Sequence, residues 1–152
     1  MYLAEILERC SALAERSAAL YWRLAEQFSH DPDRRELCHE LAFLEETHAK
    51  VLREELLSLQ ERDESGDFLP EFGERIEQLE QRLTELEQRV GNSQSFDEAT
   101  STLVALQQTH IEELYDDLVV QGDPSFRLFV ERLEAALAEY PKAQAVRQRR
   151  RR

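Results

Sequence analysis

Leu37, Leu41, Leu44, Leu52, Leu56 and Leu59 follow one another at intervals of three, four and eight residues. That spacing draws a single apolar stripe along an α-helix facing a core. Asp31 can cap such a helix with its carboxylate, and Pro32 suits the first helical position, where a missing N–H costs nothing. A helix is therefore expected from Pro32 to about Leu59. Inside its stripe sit Glu45 and His48. Three residues apart on a helix they point the same way, and either would be costly to bury without a partner. The pair is either a metal-ligating Glu-x-x-His element or a solvated or hydrogen-bonded pair at a bundle edge.

The remaining chain repeats the helical pattern between short breaks. Only four Gly and four Pro occur in 152 residues, and 34% of the residues are charged, so an all-α chain is expected. With 41% hydrophobic residues, one domain with one core is the default. Leu3 to Phe28 reads as a first helix whose inner face carries Leu7, Leu13, Leu20 and Leu24 with Ala14, Ala18 and Ala25 beside them. The turn Ser29-His30-Asp31-Pro32 reverses the chain. Glu61 to Gly73, with Ser65, Gly66 and Pro70, is a break expected to be the most mobile loop. Ile76, Leu79, Leu83, Leu86 and Val90 then give a heptad-like helix, expected to pack on its own bundle or on a second copy in a homodimer.

Gly91-Asn92 ends that helix, and Ser95-Phe96-Asp97-Glu98 reads as a capping box opening the next. Its inner face is Leu103, Val104, Ile111, Leu114, Tyr115 and Leu118, as far as about Val120. Gly122-Asp123-Pro124 precedes a last helix carrying Phe126, Phe129, Val130, Leu133, Leu137 and Tyr140 inward until Pro141. Residues 1–141 thus make one bundle, with a crossover at 61–94. Residues 142–152, containing Arg147 and Arg149 to Arg152, read as a disordered basic tail.

A net charge of −13 argues against nucleic-acid binding. A protein partner would meet the acidic surface or the arginine tail. The N-terminus has no basic segment and apolar core of a signal peptide, and no run reaches membrane-spanning length, so a cytoplasmic location is expected. Cys10 and Cys38 agree with a reducing compartment and are not expected to bridge. Phosphate loops, a GxSxG elbow and CxxC are missing, and His30, His39 and His110 lack ligand spacing around them.

Tyr21-Trp22-Arg23-Leu24-Ala25 before Asp31-Pro32 is echoed by Tyr115-Asp116-Asp117-Leu118-Val119 before Asp123-Pro124. Two helical hairpins joined by a long crossover are the plan of a ferritin-like four-helix bundle. On Tyr21, Leu24, Ala25 and Glu26, then Asp31-Pro32, Arg35-Glu36-Leu37, Glu40-Leu41-Ala42 and Glu45 through His48, the chain resembles the rubrerythrin-like branch of the ferritin-like superfamily. The first hairpin carries the match; the second agrees in layout more than in letters.

The resemblance implies a di-iron carboxylate site with a Glu from each of two helices and a Glu-x-x-His from each of the other two. Glu45 and His48 match. The helix-one position, seven before Tyr21, is Ala14, and Glu15 beside it is turned about 100° away. Seven before Tyr115 stands Gln108, and Leu137 and Tyr140 replace the second Glu-x-x-His. Gln108, Glu112, Cys10 and Glu134 are the candidate substitutes, and Cys10 with Glu45 and His48 could hold a zinc-like ion. Alternatively, Gln107 bonds Glu45 or His48 in a metal-free network with Gln108, Tyr21, Tyr115 and Tyr140. Two functions follow: a protein with a reduced site for iron or another divalent metal, in iron or oxidative-stress handling, or a metal-free interaction or scaffold module. The four-cysteine rubredoxin-like module is missing, so any redox chemistry would need an outside donor.

Overall fold

The computed structural model describes residues 1–90, 95–121, 125–140, 143, 145 and 146, without the side chains of 108–110, 121 and 125. All regular elements among them are helical: α1 (Leu3–Gln27), α2 (Pro32–Glu61), α3 (Phe72–Arg89), α4 (Phe96–Ala105), a π-helical segment (Leu106–Ile111), α5 (Glu112–Gln121) and α6 (Ser125–Leu137). The chain is all-α. Asp31 caps α2 by accepting from the Arg34 N–H at 3.3 Å, and Ser95 accepts from the Glu98 N–H at 3.2 Å to start α4. The turns at Gly91-Asn92 and Gly122-Asp123-Pro124, the stop at Pro141 and the Arg147 to Arg152 tail lie outside the described residues.

α1 and α2 form an antiparallel hairpin. Trp22 donates to Glu46 at 2.8 Å near the turn, while the Ser11 hydroxyl reaches the Ala49 carbonyl and Glu15 pairs with Arg53 further along. α6 runs along α2, tied by Arg132 to Glu55 and by Tyr140 to Thr47. Most of the expected inner faces are buried, among them Leu13, Leu20 and Leu24 of α1, Leu41, Leu44 and Leu52 of α2, Leu114 and Leu118 of α5, and Phe129 and Leu133 of α6, while Leu37, Leu56, Val130 and Tyr140 are half-buried.

The heptad-like helix packs on its own chain. Ile76, Leu79, Leu83 and Leu86 are all buried within the chain, the first of the two packings its pattern allowed. Its partner is α1, and the two run parallel. Arg9, Arg16 and Arg23, seven apart, form a ladder: Arg9 pairs with Glu80, Arg16 with Glu87 and with the Thr84 hydroxyl at 2.9 Å, and Arg23 donates to the Val90 carbonyl at 2.9 Å. Parallel helices place like dipole ends side by side. The Arg23 cation at the C-terminus of α3 offsets part of that cost. On its other side Arg75 reaches Asp117 of α5 at 2.7 Å.

The crossover break is hydrogen-bonded to the start of α1. α1 has no side-chain N-cap, and its first N–H groups are taken by carbonyls of the loop, Leu3 to Asp67 at 3.0 Å and Ala4 to Ser65 at 2.9 Å. Leu69 returns a bond to the Met1 carbonyl at 2.8 Å, and the Tyr2 and Phe68 rings meet at a tilt of 58°. The composition that suggested mobility also serves a tight approach. Gly66 has φ +76°, and a Cβ there would lie 2.6 Å from Leu3 Cβ. Gly66→Ala is expected to lower unfolding stability by about 1–3 kcal/mol in urea titration. Gly73→Ala, inside α3 with only Met1 Cε at 3.8 Å, is expected to be neutral or to gain up to about 1 kcal/mol.

Candidate functional site

The α2 stripe carries two polar side chains into the core as the spacing requires. Glu45 is 2% exposed and His48 is 0% exposed. Neither reaches water, so each must be satisfied inside. His48 Nε2 lies 2.7 Å from the Tyr115 hydroxyl of α5, with the rings edge to face. His48 Nδ1 lies 3.3 Å from Glu45 Oε2 and 3.2 Å from Gln107 Nε2. Gln107 is itself buried, and its Oε1 has no hydrogen-bond partner among the described residues.

Gln107 owes its position to the π-helical segment. In a continuous α-helix the position two turns before Tyr115 is seven residues back, at Gln108. The segment Leu106–Ile111 inserts one residue into that count, so the inward position falls eight back, at Gln107. Counting by sevens points to Gln108, whereas the side chain seen against His48 is that of Gln107. The signal that found Gln107 was its place at the centre of the apolar face. The side chains of Gln108 and His110 lie outside the described residues.

Cys10 joins the cluster through Tyr115. Its buried thiol makes a hydrogen bond with the Tyr115 hydroxyl, so it meets the phenol instead of completing a set with Glu45 and His48. Glu134 is exposed and Glu112 is half-buried at the margin. Ala14 is buried in the helix-one ligand position, and Glu15 points outward to Arg53. Leu137 is buried where the second carboxylate would stand, and Tyr140, in the second histidine position, lies 2.7 Å from the Thr47 hydroxyl. That contact, one residue from His48, is one the periodicity did not foreshadow. Tyr21 is buried at 2% exposure. Among the described residues no three His, Cys, Asp or Glu side chains gather closely enough to hold a metal ion.

The surroundings favour neutral acids. Burial pushes the Cys10 thiol up to about 12, against a smaller lowering by its bond to Tyr115. Burial likewise raises Cys38 to about 12. The Tyr115 phenol is held well above its ordinary range, first by burial and then by the nearby Cys10 and Glu45. Both cysteines are free.

Three outcomes follow for the two thiols and the Tyr115 hydroxyl. Each raised thiol favours the folded state fully below its unfolded pKa near 9, and that stability is lost as pH climbs toward about 12. Thermal midpoints should therefore hold through neutral pH and fall above about 9, by at most about 1.4 kcal/mol per pH unit for each thiol. In parallel, iodoacetamide should label neither cysteine until the chain unfolds. Tyr115→Phe, which strips a hydroxyl from both His48 and Cys10, is expected to cost about 1–3 kcal/mol in chemical denaturation.

In comparisons with known proteins, no family model, no curated protein and no solved structure matches this chain.

Proposed function

We propose that the chain is a ferritin-like helical bundle of the rubrerythrin-like branch whose two-iron centre is reduced to half a site, acting in metal handling without oxygen-activating chemistry of its own. One observation carries this reading. Glu45 and His48 are buried at the heart of the core with Gln107 against them, while Ala14, Leu137 and Tyr140 stand in three of the other ligand positions that the resemblance implies. The antiparallel α1–α2 hairpin, the crossover helix and the pairing of α6 with α2 support the bundle assignment.

The donor set decides the chemistry. Two divalent ions bring four positive charges into a low-dielectric core, where one carboxylate and one imidazole would face them, and burying that excess is prohibitive. The residues present do not fit a di-iron centre. A metal-free interaction module is the second reading. It is favoured by the partners already standing at both ring nitrogens of His48.

Anaerobic addition of ferrous ion followed by desalting and exposure to air separates these readings from the intact family chemistry. No more than one iron per chain and background oxygen consumption are expected. Two irons per chain with catalysed oxygen uptake would overturn the proposal.

A further inference from the structure

We infer that Glu45, His48 and Gln107 form a binding site for a single divalent transition-metal ion, with the Gln107 amide oxygen as its third ligand. The inference rests on the reduced-site reading above and specifies which side chains complete it.

The argument begins with hydrogen bonds that cannot all be made. Glu45 Oε2 at 3.3 Å and the Gln107 amide at 3.2 Å both face one atom, His48 Nδ1. If Nδ1 carries a hydrogen, it donates to Glu45, and the amide N–H then confronts another donor. Turning the amide over places its oxygen toward Nδ1 and leaves its NH2 on the far side without a partner. If Nδ1 carries a lone pair, it accepts from Gln107, and the Glu45 carboxylate then faces that lone pair. In that case Gln107 Oε1 stays orphaned, as the structure has it. Each arrangement leaves a buried polar group unsatisfied, at a position where nothing reaches solvent.

A cation removes the conflict. Amide oxygen and nitrogen are interchangeable by a half-turn of the amide, which brings the Gln107 oxygen to the place 3.2 Å from Nδ1. Carboxylate oxygen, imidazole nitrogen and amide oxygen are then three donors grouped about one buried position. Metal–ligand bonds of about 2.0–2.2 Å require donor–donor edges of roughly 3.0–3.5 Å, and the two edges at Nδ1 are 3.2 and 3.3 Å.

The other ring nitrogen fits the same assignment. With Nδ1 toward the ion, Nε2–H donates to the Tyr115 oxygen at 2.7 Å, and the Tyr115 O–H is left for the Cys10 sulfur. An acceptor on the far nitrogen is what orients a ligating imidazole. Mixed N and O donors with no thiolate suit a first-row divalent ion such as Mn2+, Fe2+, Co2+ or Zn2+.

Cobalt(II) is the probe, titrated anaerobically into wild type, Gln107→Leu and Gln107→Glu, with bound metal counted and visible absorption recorded. Wild type should take one Co2+ per chain. Gln107→Leu should weaken binding by at least about 10–100-fold, the range reached when a group that only touches a ligand is lost. Gln107→Glu, which adds a second charge at the same place, should tighten it. Equal affinity in wild type and Gln107→Leu would overturn the ligand assignment while leaving the reduced site of Glu45 and His48 standing. No Co2+ in wild type would overturn the assignment and leave the metal-free reading. Two Co2+ per chain would overturn the reduced-site reading itself. Should Gln107→Leu fail to fold by circular dichroism, Gln107→Glu decides: an affinity no tighter than wild type overturns the assignment.

Discussion

The architecture depends on one demand, that a carboxylate and an imidazole on the inner stripe of α2 find partners away from water. Glu45 and His48 sit among leucines at the centre of the core, where an unmet hydrogen bond costs as much as a lost contact. Other helices answer that demand. α5 brings the Tyr115 hydroxyl, the π-helical segment before it brings Gln107, and α1 brings Cys10 behind Tyr115. The segment after α6 adds Tyr140 one residue away, on Thr47. Polar contacts of this kind fix the register of helices that leucine packing alone would allow to slide.

Outside the core, charge does a similar job at longer range. The arginines of α1 at 9, 16 and 23 meet Glu80, Glu87 and the Val90 carbonyl that closes α3, the first two pairs with matched seven-residue spacing. Each exposed or half-buried pair contributes little, on the order of 0.2–1 kcal/mol. Together they choose a parallel alignment that the helix dipoles oppose. The apolar seam of α3 is the larger stabilising term, and the arginines decide in which direction and register it closes.

Much of this was legible in the letters. The stripe from Leu37 to Leu59, the caps at Asp31 and Ser95, and the inner faces of all the long helices follow from spacing and turn chemistry. The burial of Glu45 and His48 was legible for the same reason. Three things were not. A π-helical insertion leaves no mark in composition, so the choice between Gln107 and Gln108 could not come from counting. A heptad pattern does not say whose surface it covers, and only the arginines of a helix far away in sequence resolve that for α3. Gly66 and its neighbours read as looseness, although a glycine is equally required where two backbones approach within a side chain's width.

The bonds between the first turn of α1 and the carbonyls of Ser65 and Asp67 also bear on the order of assembly. During synthesis the start of α1 leaves the ribosome long before the residues that cap it. The α1–α2 hairpin can close through its short turn, yet the outermost turn of α1 must wait, its amides held by water, until the crossover has emerged. The first turn of α1 thus reaches its final form later than the rest of its own helix, timed by a segment more than sixty residues downstream.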